Sequence, residues 1–220
     1  MPAIAVIGGM AVNIRLSTAA DAHRATQDID LVADEAIPTA VEVLSDRQGP
    51  ARENTVVVRG IEIDIIETHA VTDDDLDGLD DEDRLFVVGH RWALETARAV
   101  RIATAGDAPA VEVPVAAPAG LIAAKSHAAG YPRAARRSTK HGGDLYDVFR
   151  LVEVFDARGE LRAQLSAAPG GLGHLVAHVF ETEILANPPR AMRQMLPAAS
   201  TPLDVQQIVD VVRPFVSGLG

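Results

Sequence analysis

An α+β fold is predicted: a mixed sheet flanked by helices over residues 1–115, followed by a mostly helical lobe over residues 116–220. Three observations predict it. The first half carries short apolar runs with the two-residue alternation of strands, broken by glycine, proline and acidic stretches. From "AGLIAAKSHAAG" onward the apolar positions recur at helical spacing. Between the two textures lies a proline-containing stretch, Pro114 to Pro118, suited to a lobe boundary.

The elements follow in order. "AIAVIGG" reads as a buried strand ending in two glycines, and "MAVNIRLS" as a helix with Met10, Ala11 and Ile14 on one side. "DIDLVAD" is a strand, and "IPTAVEVLSDR" a helix with Pro38 in its first turn. "NTVVVRG" and "IEIDIIET" are strands joined at Gly60. "RLFVVG", "RAVRIATAG" and the short "VEVPVAAP" are further strands. Helices are expected over Ala119–Ala129, Asp144–Phe155, Leu172–Leu185 and Leu203–Val212. The last has Thr201 as its expected N-cap, Pro202 at its first position and Asp204 in its first turn. It presents Leu203, Ile208, Val211 and Val212 as its apolar face.

The 220 residues are 48% hydrophobic, enough to bury a sizeable core. No cysteine occurs, which excludes disulfides and thiolate metal sites. The first residues lack the basic region and cleavage site of a signal peptide, and no run approaches ~18 apolar residues. A cytoplasmic protein that does not enter a membrane is therefore expected. Net charge is −11, which opposes non-specific nucleic-acid binding. The charge is uneven. "DDDLDGLDDED", Asp73 to Asp83, holds eight acids and reads as a solvated acidic loop. Lys125 to Arg150 is locally basic, with Arg133, Arg136, Arg137 and Lys140 between them.

Three features carry chemistry. Gly8-Gly9 at a strand end, ahead of a helix, allows a backbone to approach a phosphate. Its spacing is not that of a dinucleotide fingerprint. Asp28 and Asp30 sit two residues apart in a strand, so both point to one side, roughly 7 Å apart at Cα. Two such carboxylates repel each other and resist desolvation unless a cation offsets them. Asp64 stands among Ile63, Ile65 and Ile66 and shares a strand face with Glu62, so either acid can join the first pair across a sheet. Three carboxylates on one sheet edge form an oxygen-rich site suited to Mg²⁺. Two such ions serve phosphoryl or nucleotidyl transfer.

Further along, Asp144 and Asp147 share a helix face at i, i+3. Lys125 and the neighbouring arginines are their natural partners. Lys125, a lone cation in an apolar helix, either snorkels to water or faces the diglycine turn, where it would neutralise a triphosphate. His174 and His178, at i, i+4, have no third ligand or companion glutamate and read as packing or surface residues. No Ser-His-Asp arrangement and no GxSxG occurs.

"GGMAVNIRL…RATQDIDLV" resembles the nucleotidyltransferase signature of the DNA-polymerase-β-like superfamily. The Arg24-x-Thr26-x-Asp28-Ile29-Asp30 form is similar to the AbiEii-type and MenT-type nucleotidyltransferase toxins of bacterial toxin–antitoxin and phage-defence systems. Their later motif, a helix lysine followed by basic residues and Lys-Asp-x-x-Asp, is matched by Lys125, Asp144 and Asp147. The match departs at Lys140, which three residues separate from Asp144. The resemblance covers residues 3–67 and 115–151 and implies a nucleotidyltransferase-like sheet.

It implies Asp28, Asp30 and Asp64 as metal ligands. It implies Gly8, Gly9, Thr26, Lys125, Arg133, Arg136, Arg137 and Lys140 as nucleotide-binding residues. Lys125, Asp144 and Asp147 would complete the catalytic set. Mg²⁺ is the implied cofactor. The implied function is a toxin that transfers nucleotides, often pyrimidines, from a nucleoside triphosphate to a tRNA 3′ end, neutralised by a cognate antitoxin. Two alternatives remain open on the same fold. One is a small-molecule nucleotidyltransferase of the aminoglycoside-modifying kind. The other is a non-catalytic nucleotide- or partner-binding module.

Overall fold

The computed structural model describes residues 3–17, 26, 28–34, 55–58, 60–103, 109–131 and 139–220. Six strands form one mixed sheet: β1 (Ile4–Ile7), β2 (Asp28–Asp34), β3 (Thr55–Val58), β4 (Ile61–Thr68), β5 (Arg98–Ile102) and β6 (Val111–Val115), in the order β3-β4-β2-β1-β6-β5. β2 runs antiparallel to β1 and parallel to β4. The parallel register aligns Asp28 with Glu62 and Asp30 with Asp64, while the antiparallel one sets Ile7 against Asp30.

The helices are α1 (Gly8–Leu16), α2 (Asp73–Leu76), α3 (Asp81–Glu95), α4 (Pro118–Gly130), α5 (Thr139–Phe155), α6 (Glu160–Ser166), α7 (Leu172–Phe180), α8 (Pro188–Met195) and α9 (Val205–Ser217). α7 continues as a π-helical turn through Leu185. α4 is buried nearly all round, because alanines 119, 123 and 124 and Gly120 let neighbours approach from several sides. α5 is likewise central, with Leu145, Tyr146, Phe149 and Leu151 fully buried. α1 is tied to the β6–α4 junction by Arg15, whose guanidinium donates to the carbonyls of Val115 (2.7 Å) and Ala116 (2.9 Å).

Three sequence expectations are corrected. "RLFVVG" is not a strand but the middle of α3. Its apolar residues Leu85, Val88 and Trp92 fall on one helical face and are buried, so tertiary packing overrides the β-propensity of the valines. The acidic stretch is not simply a loop. Asp75 completes a capping box with Thr72, Asp80 accepts from the Asp83 N–H, and Asp81, Glu82 and Asp83 occupy the first turn of α3, where the helix dipole favours negative charge. α9 begins later than expected: Asp204 is its N-cap, accepting from the N–H groups of Gln206 and Gln207, and Thr201 and Pro202 lie ahead of it. The helix expected around Pro38 lies outside the described residues.

Candidate active site

The site grows from the β1–α1 turn. Ile7 is extended, and Gly8 then turns with φ +67°, a left-handed conformation that favours glycine. A Cβ at Gly8 would fall inside the Asp30 carboxylate, so both the backbone and the neighbouring acid demand glycine there. No side chain caps α1, which leaves its first N–H groups to an anion.

On β2 and β4 the acids are held differently. Thr26 Oγ1 donates to Asp28 (2.6 Å), and this bond first of all holds the Asp28 carboxyl below its ordinary pKa. Thr55 Oγ1 donates to Asp64 (2.6 Å). Asp30 lies beside Asp64 in the register and beside Asp28 along the strand, and no hydrogen bond reaches its carboxylate among the described residues. Burial pushes its pKa up, Lys125 opposes that, and Asp28 reinforces it. A partly buried acid with two acidic neighbours and no donor is an environment a divalent cation relieves, and carboxylate oxygens are the donors Mg²⁺ prefers. Among the described residues, however, no three His, Asp or Glu side chains are drawn into a closed metal-binding group.

Lys125 does not snorkel. Its ammonium is buried against Asp144 Oδ1 (2.7 Å) and Asp147 Oδ2 (2.8 Å). Burial alone would lower its pKa; Asp147 and Asp144 outweigh that and hold it above the ordinary lysine value. Lys125 therefore stays charged. Asp144 and Asp147 accordingly act first as the lysine's anchors. Lys140, exposed on the first turn of α5, stands 3.9 Å from Asp28 Oδ2.

A cavity of about 600 Å³ joins these groups. Of the residues predicted from the sequence, Gly8, Asp30, Asp64, Lys125, Lys140 and Asp144 line it. Asp28 adjoins it through Lys140, whereas Gly9, Thr26 and Asp147 are not among its lining residues. Arg133, Arg136 and Arg137 lie outside the described residues. Sequence reasoning missed Thr55, Phe86, His90, His127, Tyr131 and His141, which also line the cavity. Phe86/His90 and His127/Tyr131 are i, i+4 pairs, a readable signal once both segments are recognised as helices.

A strand-end diglycine turn meets adjacent-strand aspartates and a buried lysine in one cavity. Residues 1–211 of the chain match the family model described as "Nucleotidyl transferase AbiEii toxin, Type IV TA system". The chain belongs to the AbiEii family. As an AbiEii member it is a nucleotidyltransferase toxin of a type IV toxin–antitoxin system, with a nucleotide substrate and an antitoxin partner. No curated protein matched the chain. No described helix is long and apolar enough to cross a membrane.

Proposed function

We propose that this AbiEii protein is a Mg²⁺-dependent enzyme that transfers a nucleotide, with a preference for pyrimidines, from a nucleoside triphosphate to a tRNA 3′ end. The observation that carries the reading is the juxtaposition of Asp30 with Asp64 against the Gly8 turn, inside a cavity that also holds Lys125. The α1 N–H groups and Gly8 receive the phosphates, and Lys140 supplies positive charge from the cavity's edge. Asp28, Asp30 and Asp64 are the residues that would hold Mg²⁺, which when bound neutralises the triphosphate and lowers the pKa of the acceptor hydroxyl. Asp64, oriented by Thr55, is also the group that takes the acceptor's proton. The acceptor oxygen forms a bond to the α-phosphorus, the bond from the α-phosphorus to the bridging oxygen breaks, and pyrophosphate leaves. Positioning and charge neutralisation supply most of the acceleration.

The test is incubation with labelled nucleoside triphosphates and total tRNA, for the wild type and for Asp30→Asn and Asp64→Asn. Label on tRNA 3′ ends with the wild type alone is the expected result. One observation favours a second acceptor: a net charge of −11 suits a cationic small molecule better than RNA. An aminoglycoside arm in the same assay separates the two, since only one acceptor becomes labelled.

A further inference from the structure

One wall of the cavity has no part in holding phosphate or metal. α3 and α4 approach each other closely because Gly89 faces the Ala123 carbonyl (3.2 Å from an ideal Cβ) and Gly120 faces the Ala93 Cα (2.9 Å). That contact brings two i, i+4 pairs together: Phe86 and His90 from α3, and His127 from α4 with Tyr131 just after its end. Ring centroids are 4.5 Å apart for Phe86–His90, 5.0 Å for Phe86–His127 and 6.0 Å for His127–Tyr131. Ala124 and Ala128, which carry only methyl side chains, line the same cavity. Four aromatic rings lining the cavity that holds the acids offer π-surface on which a base can stack.

His90 adds direction to that platform. The ring is buried, and its Nδ1 donates to the Phe86 carbonyl at 2.7 Å, which fixes the tautomer and leaves Nε2 as an acceptor. Among the described residues this is the one hydrogen bond the ring makes. Burial pushes its pKa down to about 4, against the opposing pull of the Phe86 carbonyl, so the ring is neutral at physiological pH.

We propose that the Phe86–His90–His127–Tyr131 wall seats the nucleobase of the incoming nucleoside triphosphate, and that His90 Nε2 selects bases carrying an exocyclic amino group. An exocyclic amino nitrogen projects beyond the ring and meets an acceptor in the wall before an imino N–H does. A carbonyl in the same place sets two acceptors against each other, which leaves a buried group unsatisfied. The inference rests on the nucleotide-binding reading of the cavity given above.

The test is calorimetric titration of the full chain, with Mg²⁺, against two matched pairs: CTP with UTP, and ATP with ITP. Each pair differs chiefly in amino against oxo. The expected result is roughly tenfold tighter binding of CTP over UTP and of ATP over ITP, the size of one hydrogen bond gained against one repulsion. His90→Phe keeps a ring but removes the acceptor and abolishes both preferences. Tyr131→Ala weakens all four ligands by a similar factor, roughly tenfold. Equal binding within each wild-type pair overturns the amino-selection claim without recourse to any variant, as does a His90→Phe protein that keeps the preferences. If none of the four binds, the nucleotide-site reading itself fails and this inference falls with it.

Discussion

The Asp30 carboxylate is squeezed between Asp28 on its own strand and Asp64 on the next, with Gly8 pressed against it and no hydrogen-bond donor from the described residues. Burial raises its pKa, so the fold favours the protonated form. The associated stability is fully present below the ordinary carboxyl pKa of the unfolded chain and is lost as pH rises through the higher folded value. Wherever the carboxylate is ionised in the folded protein it is a destabilising charge, and it is the charge that the proposed Mg²⁺ site uses. Asp30→Asn should abolish nucleotide transfer while raising the melting temperature, by about 2–4 °C for each kcal/mol relieved. The gain should shrink as pH falls toward the ordinary carboxyl range, because both proteins then present a neutral group. Thermal melts at pH 8 and pH 5, run beside the transfer assay, read this directly. A variant that loses both activity and stability at pH 8 would mean that Asp30 is a structural acid.

Two junctions between elements decide whether the residues meet. At the β1–α1 turn, Gly8→Ala meets both a left-handed backbone and the Asp30 carboxylate, so it should cost about 1–3 kcal/mol in urea unfolding and remove transfer activity. At the α4–α5 contact, Lys125→Met leaves Asp144 and Asp147 buried without their cation. It should cost about 3–5 kcal/mol, and adding Asp144→Asn and Asp147→Asn should restore much of that stability but not activity. Unfolding curves of the single and triple variants check it. These junctions also mark how far the sequence could be read. The diglycine turn and the Asp28/Asp30 face were legible because strand period and glycine conformation are local properties. The match of Asp30 with Asp64 was legible only as a shared face, since inter-strand register depends on the whole sheet. The valines of α3 read as a strand because the helix is fixed by its acidic first turn and by packing on α4, not by propensity. Having misread that segment, sequence reasoning could not see Phe86 and His90 beside His127 and Tyr131. That wall exists only because Gly89 and Gly120 let two distant helices touch.

At the scale of the whole molecule, charge is sorted among the described residues that border the cavity. The acidic first turn of α3 lies near Tyr131, whose pKa is raised by burial and then by Asp81, Glu82 and Asp80. Lys140 stands on another part of the lining, close to Asp28, and the chain between Tyr131 and Thr139 carries Arg133, Arg136 and Arg137. If the acceptor is a tRNA, as proposed, its phosphates are repelled by that acidic turn and attracted by Lys140. Phosphate contacts of this kind release counterions, and each contact to a single strand contributes about 0.7 to the slope of log affinity against log salt. Replacing the three arginines by alanine should make that slope shallower by about 2 for tRNA binding. Replacing Asp81 and Glu82 by their amides should strengthen tRNA binding at low salt and matter little near 1 M, where the Debye length is about 3 Å. Filter binding across a salt series measures both. An unchanged slope in the arginine variant would place the acceptor elsewhere and would favour a small cationic acceptor over tRNA.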